Sequence, residues 1–238
     1  MFSLLGFFIG AFVPVIILFL LIIIHEVGHA SAALICGVSV DKIYIYPFGG
    51  LSKINLSMNE SLYKELFILV MGPVFQVICY FTLINISYFS EYSELINIYN
   101  ITILVFNLLP IYPLDGGRLL NIFLSFSIPL KKSLKITFIL SYVTLFIFSC
   151  YLLFHYFSIN VVVIISFLCY KLKKENDNRN MIFDKFLLER YLYNYHFSKR
   201  KKVNTVDDFM RNKKHLVKVN NKYYTESEIL CKKFGNKY

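Results

Sequence analysis

The residues best suited to chemistry in this chain are His25-Glu26-Val27-Gly28-His29, which form the pattern H-E-x-x-H. Two histidines four positions apart lie on the same face of a helix, so both imidazole rings can reach one metal ion. The glutamate after the first histidine is not needed as a ligand and can take a proton from water. The spacing therefore predicts a hydrolytic zinc site with His25 and His29 as ligands and Glu26 as the general base.

The motif lies inside an apolar stretch. No charged residue occurs from Met1 to Ile24 or from Ala30 to Val40. A charged group at bilayer depth costs about 2.5–3.5 kcal/mol on insertion scales, so ionisable residues within a membrane span usually have a function. The simpler interpretation is a helix-end cluster that faces water, or a histidine–glutamate pair that only packs, because the motif is short.

Composition places the chain among membrane proteins. It is 57% hydrophobic with a mean hydropathy of +0.57, whereas globular chains are roughly 45–50% apolar. Five cysteines without a C-x-x-C pair indicate neither a disulfide framework nor a cysteine-based zinc site. We expect an all-α polytopic membrane protein with five or six transmembrane helices, a short β-hairpin at the membrane surface and a small cytosolic tail.

Charge divides the chain into two expected domains. Residues 1–170, the transmembrane domain, carry seven Lys/Arg and seven Asp/Glu, whereas residues 171–238, a basic tail, carry eighteen and eight. The positive-inside rule places this tail in the cytoplasm, near anionic lipid headgroups. That rule explains the basic charge more simply than nucleic-acid binding, so we expect the lipid bilayer and no nucleic acid as a partner.

The apolar segments are separated by recognisable breaks. Residues 1–13 are expected to be the end of a shortened helix, before a first full span that begins at Pro14 and stops before Gly37. Gly72-Pro73 in the second span would allow close packing against the histidine helix. The other expected elements are a hairpin over 37–56 turning at Pro47-Phe48-Gly49-Gly50, a second span over 65–88, a third stretch over 97–128, and two spans between 134 and 170.

The third stretch contains the best candidate for a third ligand. Two prolines and two glycines between Asn107 and Arg118 prevent a regular helix, and irregular backbone at bilayer depth must face protein or a wet cavity. Asp115 lies in this broken segment, whereas the other acidic residues outside the H-E-x-x-H motif lie near loop ends. We therefore expect Asp115 to be the third metal ligand, with His155 as its competitor at an outer turn.

The tail has weaker patterns. Residues Phe186 to Leu192 have a helical pattern, and the basic run 199–202 is expected to be a solvated linker. His196 and His215 are expected to be solvated.

These motifs together resemble the site-2 protease family of intramembrane zinc metalloproteases. The resemblance depends on H-E-x-x-H in one span, with Asn107-Leu108-Leu109-Pro110 and Leu114-Asp115-Gly116-Gly117 in a later one. Further residues resemble the sporulation branch of that family, that of stage IV sporulation protein FB. They are Pro47-Phe48-Gly49-Gly50, Gly72-Pro73 and Phe186-Leu187-Leu188-Glu189-Arg190-Tyr191.

The resemblance implies a peptide hydrolase with one Zn²⁺ per chain, held by His25, His29 and Asp115, with Glu26 as base. It also implies a role for Asn107 near the site, as a hydrogen-bond donor to water, substrate or oxyanion. In the sporulation branch the substrate is a membrane-tethered pro-form of a mother-cell sigma factor, and membrane partners inhibit the enzyme. That branch carries a nucleotide-sensing CBS domain. A tail of 68 residues is short for a CBS pair, so we expect at most a truncated CBS-like region.

Other functions are compatible with parts of this pattern. The substrate could be an anti-sigma factor or a signal-peptide remnant, since the motifs do not separate these. A membrane metal transporter or metal-binding protein would explain buried ligands but gives no reason for Glu26. An inactive scaffold would not need all four site residues intact.

Overall fold

A computed structural model of the chain describes residues 2–46, 49–193, 195–197 and 199–235. Pro47 and Phe48, half of the expected hairpin turn, lie outside the described residues. The helices are α1 (Phe2–Ile35), α2 (Leu62–Ile84), α3 (Ser93–Leu108), α4 (Asp115–Ser127), α5 (Leu130–His155), α6 (Ile159–Asp177), α7 (Arg179–Leu192) and α8 (Glu226–Phe234). The strands are β1 (Val40–Tyr46), β2 (Gly49–Ile54), β3 (Arg200–Val203), β4 (Lys214–Val219) and β5 (Lys222–Thr225).

Helix α1 is longer than the sequence suggested. The expected break before Pro14 is wrong, because Pro14 lies inside one continuous helix. Proline removes one backbone donor, and an apolar segment without a turn-forming sequence satisfies its remaining backbone groups best by staying helical. The predicted stop is confirmed: Gly37 has a φ of +73°, and the Val38 N–H bonds to the Ala33 carbonyl at 2.9 Å. Glycine adopts this left-handed conformation at little cost.

Among the described residues, three helices are long and apolar enough to cross a membrane. They are Val13–Ile35 within α1, Leu62–Ile84 and Leu130–His155. The chain is therefore a mostly helical integral membrane protein, and the total of five or six spans stays a prediction. The third apolar stretch is divided as expected, since α3 ends at Leu108 and α4 begins at Asp115.

The first compact unit comprises Met1–Asn55 and Phe67–Leu108. It contains α1, the β1–β2 hairpin, most of α2, and α3. The predicted hairpin is confirmed as an antiparallel pair in which Tyr46 faces Gly49. Its hydrophobic core consists of buried residues from α1, α2 and α3, namely Ile17, Leu21, Ile22, Leu83, Ile96 and Ile103.

The second compact unit comprises Leu56–Leu66 and Leu109–Tyr238. It contains α4 to α8 and a three-stranded sheet in which β3 and β4 are parallel and β4 and β5 antiparallel. This sheet is not predicted by the sequence analysis, and the basic run expected as linker belongs largely to β3. The predicted helix at 186–192 is confirmed within α7. The expected boundary at residue 170 stays a prediction, and α6 runs through that point.

A buried arginine organises the C-terminal part of this unit. The five N–H groups of the Arg190 side chain donate to five acceptors within 3.0 Å. These acceptors are Asn59 Oδ1, Glu226 Oε1 and the carbonyls of Lys213, Met210 and Arg211. Burial lowers the pKa of Arg190 to about 10 while Glu226 opposes that shift, so the guanidinium stays charged at neutral pH. The loop before α2 is thereby tied to α7 and to the chain around β4.

Candidate metal centre

The two motif histidines converge on one point. His25 and His29 are 2% and 5% exposed, and their Nε2 atoms lie 3.2 Å apart. This follows from the four-residue spacing on α1, which stacks the two side chains on one face. Two ring nitrogens are therefore presented together inside the protein.

The opposite ring nitrogens contact α2. His25 Nδ1 lies 2.8 Å from Gln76 Oε1. His29 Nδ1 lies 3.0 Å from the carbonyl oxygen of Ile68. A carbonyl only accepts hydrogen bonds, so Nδ1 of His29 carries the proton and its Nε2 presents a lone pair. Such outer contacts are typical of metal-binding histidines.

The distance between the two Nε2 atoms fits a zinc ion. Two nitrogens at about 2.0–2.1 Å from a tetrahedral zinc lie about 3.3–3.4 Å apart, and the observed separation is 3.2 Å. Imidazole nitrogens are also ligands that zinc prefers. The pair thus fits two coordination positions of one ion.

Two glycines allow α1 and α2 to approach closely. A Cβ atom on Gly28 would lie 2.5 Å from the Met71 carbonyl and 3.0 Å from the Cα of Gly72. A Cβ atom on Gly72 would lie 2.3 Å from Nε2 of His29. The predicted close packing at Gly72 is confirmed, and the His29 ring occupies the space that a larger residue would need.

Glu26 is buried on the same helix, with 6% of its surface exposed. It follows the first histidine directly, so its carboxylate is held on the rigid helix that carries both rings. Burial of a carboxylate in an apolar helix is costly and points to a function.

Asp115 lies at the first position of α4, after the short break that follows α3. The break is held by contacts with α5: Tyr112 N–H donates to Ser141 Oγ at 3.0 Å, and Ser141 Oγ donates to the Pro110 carbonyl at 3.2 Å. The chain passes so close to α4 that a Cβ atom on Gly117 would lie 2.5 Å from the Tyr112 nitrogen. The close approach explains why residue 117 is glycine, and the contacts together hold the chain where Asp115 begins α4.

Each of His25, His29 and Asp115 offers one potential ligand atom for a metal ion. Two imidazole nitrogens and a carboxylate oxygen form a donor set suited to catalytic zinc, which uses three protein ligands and leaves one position for water.

The remaining candidates lie in different settings. Asn107 is half-buried, one residue before the end of α3. His155, the competing ligand, is the exposed last residue of α5, where its ring contacts Tyr151. His196 is exposed, as expected.

The expectation that His215 is solvated is wrong, since it is 1% exposed. Its Nε2 accepts from the Met210 N–H at 3.0 Å, so its Nδ1 carries the proton and donates to Glu226 at 2.6 Å. The alternating pattern of β4 turns this side chain inward, where it completes a structural network.

Gln76 and Asn100 are buried polar residues to which the sequence analysis gave no role. They are 0% and 5% exposed, and each interrupts an apolar helix. A polar side chain at membrane depth is itself a signal of function, so attention to the amides within α2 and α3 would have found both.

Comparisons with known proteins agree with this geometry. Residues 13–95 and 82–151 match the profile of peptidase family M50. The chain is 33% identical over 192 residues to stage IV sporulation protein FB of Bacillus subtilis (strain 168), covering 79% of this chain and 67% of that protein. It is also 33% identical over 128 residues to a zinc metalloprotease of Methanocaldococcus jannaschii, covering 51% of this chain and 37% of that relative. The solved structure of a site-2 protease from Methanocaldococcus jannaschii matches with a TM-score of 0.55 and 27% identity, covering 68% of this chain and 76% of that chain.

Proposed function

Because the chain belongs to peptidase family M50, the site-2 proteases, and is thus a membrane metalloendopeptidase, we propose that it cleaves a membrane-tethered precursor protein. We further propose that the precursor is the pro-form of a mother-cell sigma factor during sporulation. This finer assignment is supported by the 33% identity to a sporulation protein and by the motifs shared with that branch. Cleavage would release the tethered protein from the membrane.

The proposed metal ligands are His25, His29 and Asp115, which would hold one zinc ion. The observation that carries this proposal is the 3.2 Å separation of the two histidine Nε2 atoms. Asp115 would supply the third ligand, a carboxylate oxygen. A zinc ion bound there would acidify water and polarise the scissile carbonyl.

The proton transfers are assigned to Glu26. Its carboxylate takes a proton from the attacking water and later passes a proton to the leaving amine, as a general base and then a general acid. Asn107 would donate a hydrogen bond to the oxyanion that forms on the carbonyl. Both side chains lie on helices, so their positions are fixed before substrate binds.

The substrate must be extended where it is cut. Hydrogen bonds within a helix shield its carbonyls, so a membrane-spanning substrate has to unwind locally. Pro110 and Pro113 lie in the non-helical segment 109–114 between α3 and α4, and irregular backbone at membrane depth faces protein or water. We propose that this segment provides the polar path for water.

We also propose which segments of the chain face the cytoplasm and how the enzyme is regulated. The basic loops and tail would face the cytoplasm, so residues 171–238 would form a cytosolic tail beside a transmembrane domain of residues 1–170. Membrane-embedded partners would inhibit the enzyme until a signal arrives. The tail would act as a truncated CBS-like regulatory region.

The test combines cleavage with zinc content. Purified protein is incubated with tethered reporters that carry a pro-sigma, an anti-sigma or a signal-peptide segment. Glu26→Gln should keep zinc and lose cleavage by about 10²–10⁴-fold, the usual contribution of general acid–base catalysis. Asp115→Ala should lose both zinc and cleavage.

Three outcomes would contradict parts of this proposal. Full activity of Glu26→Gln would remove the assigned mechanism. Cleavage of only the anti-sigma or signal-peptide reporter would replace the proposed substrate. Metal flux through vesicles without cleavage of any reporter would favour a transporter.

A further inference from the structure

The orientation of the Gln76 amide follows from its contact with a backbone carbonyl. Gln76 Nε2 lies 3.1 Å from the Asn100 carbonyl oxygen and 3.0 Å from Asn100 Oδ1. A backbone carbonyl accepts and never donates, so the NH₂ end of Gln76 must face Asn100. Its oxygen end then faces His25.

This orientation decides the tautomer of His25. Gln76 Oε1 only accepts, so the hydrogen bond of 2.8 Å requires a proton on His25 Nδ1. The lone pair of the ring is then on Nε2, which faces Nε2 of His29. The chain of contacts from α3 through α2 therefore sets which nitrogen of an α1 histidine is available.

We infer that Gln76, held by Asn100, is a positioning residue that fixes the tautomer and ring orientation of His25 for metal binding. This inference rests on the proposed zinc site and adds an outer partner to one of its ligands. Such outer partners orient ligands, and their loss typically costs about 10–100-fold in metal affinity. His29 needs no equivalent side chain, because the backbone carbonyl of Ile68 does the same for its ring.

The experiment measures the dissociation constant for Zn²⁺ in the full-length protein in detergent, by competition with a chromophoric chelator. Gln76→Met keeps the length of the side chain but removes its hydrogen bonds to His25 and Asn100, and it should weaken zinc binding about 10–100-fold. Gln76→Glu keeps an acceptor for His25 and should bind zinc more tightly than Gln76→Met. Asn100→Leu leaves the backbone carbonyl in place and should lose less affinity than Gln76→Met.

Tyr80→Phe is the matched control. It removes the 3.2 Å hydrogen bond from Tyr80 to Asn97, which also joins α2 to α3, but it touches neither histidine. Its zinc affinity should equal that of the wild type. The spectrum of the Co²⁺-loaded protein should change in Gln76→Met and stay unchanged in Tyr80→Phe.

Several results would overturn the inference. Equal zinc affinity in the wild type and Gln76→Met would do so, as would equal losses in Gln76→Glu and Gln76→Met, which indicate packing alone. If Gln76→Met does not fold, Gln76→Leu takes its place, and zinc affinity equal to that of the wild type in that variant would overturn the inference. The proposed function fails separately, through cleavage by Glu26→Gln, whatever Gln76 does to zinc binding.

Discussion

The polar side chains buried around His25 and those buried around Arg190 are held by similar hydrogen bonds but differ in how the histidine ring nitrogens are arranged. Around His25, contacts with Gln76 and Ile68 occupy the Nδ1 side of both rings and leave two Nε2 atoms 3.2 Å apart. Around Arg190, five N–H groups meet five acceptors, and His215 has both ring nitrogens bonded. The first set brings the ring nitrogens of two histidines together, whereas in the second the two ring nitrogens of His215 bond to separate groups.

This difference distinguishes a functional polar cluster from a structural one better than the burial of its side chains does. Both regions contain buried histidines beside a buried glutamate, Glu26 in one and Glu226 in the other. In the C-terminal network the glutamate accepts hydrogen bonds from its neighbours, which neutralises the cost of burying it. The observation that indicates function is therefore that the lone pairs of two histidine nitrogens converge. The following predictions test it.

Outside the proposed ligands and base, the metal site should be affected most by Gly72→Ala. The new Cβ atom would lie 2.3–2.8 Å from atoms of the His29 ring, so the ring must move. A displacement of about 1 Å can cost 10²-fold in rate, and we expect a comparable loss of cleavage together with weaker zinc binding. Cleavage assays and zinc titration measure this. Gly235→Ala, whose nearest side-chain atom is Cys231 Sγ at 3.2 Å, is the control and should leave zinc binding unchanged.

Arg190→Met should affect stability and leave the metal alone. Removing one partner of a buried ion pair costs about 3–5 kcal/mol, because Glu226 would stay buried without its 2.8 Å partner. Thermal unfolding measures the loss, and zinc affinity of the folded protein should not change. The double variant Arg190→Met with Glu226→Gln should lose less than the sum of the two single variants. Additive losses would show that the pair is not coupled.

The C-terminal network should also respond to pH through His215. Burial lowers the pKa of His215, and the Glu226 carboxylate opposes this only in part. The unfolded chain, with a histidine pKa of about 6.5, then binds a proton more readily than the folded chain. Stability should therefore fall as pH drops below about 6.5, by at most about 1.4 kcal/mol per pH unit.

Unfolding curves at several pH values test this, with His215→Asn as the comparison. The variant should be less stable overall, but its stability should depend less on pH below about 6.5. The other histidines are common to both proteins and cancel in the difference. A slope that is unchanged in the variant would contradict the assignment.

The smallest effect is expected at the protein surface. Lys132 pairs with Asp208 at 3.3 Å, and its side chain is 65% exposed. Exposed ion pairs contribute about 0.2–1 kcal/mol, so Lys132→Ala should shift the unfolding free energy by no more than that, and less in high salt. A loss as large as that of Arg190→Met would mean that exposure does not separate the two pairs.

The sequence was most informative where the conformation depends on a short local pattern of residues. Three features depend only on residues that are close in sequence: the H-E-x-x-H spacing, the stop at Gly37 and the break before Asp115. The structure contains the helix end at Gly37, the break before Asp115 and the close pair of histidines. It was least informative for the tail. The Asn220-Asn221 pair, with φ of 47° and 61°, is a hairpin signal between β4 and β5 that the sequence analysis did not use.

What the sequence determined by itself was the placement of two imidazoles and a carboxylate on one apolar helix, because a helix repeats every 3.6 residues whatever surrounds it. Only the tertiary structure decided which ring nitrogens face each other and that His215 is a structural residue. The reason is that hydrogen-bond partners such as Gln76 and Glu226 are 51 and 11 positions away from their histidines. Contacts across such separations depend on how helices and strands pack.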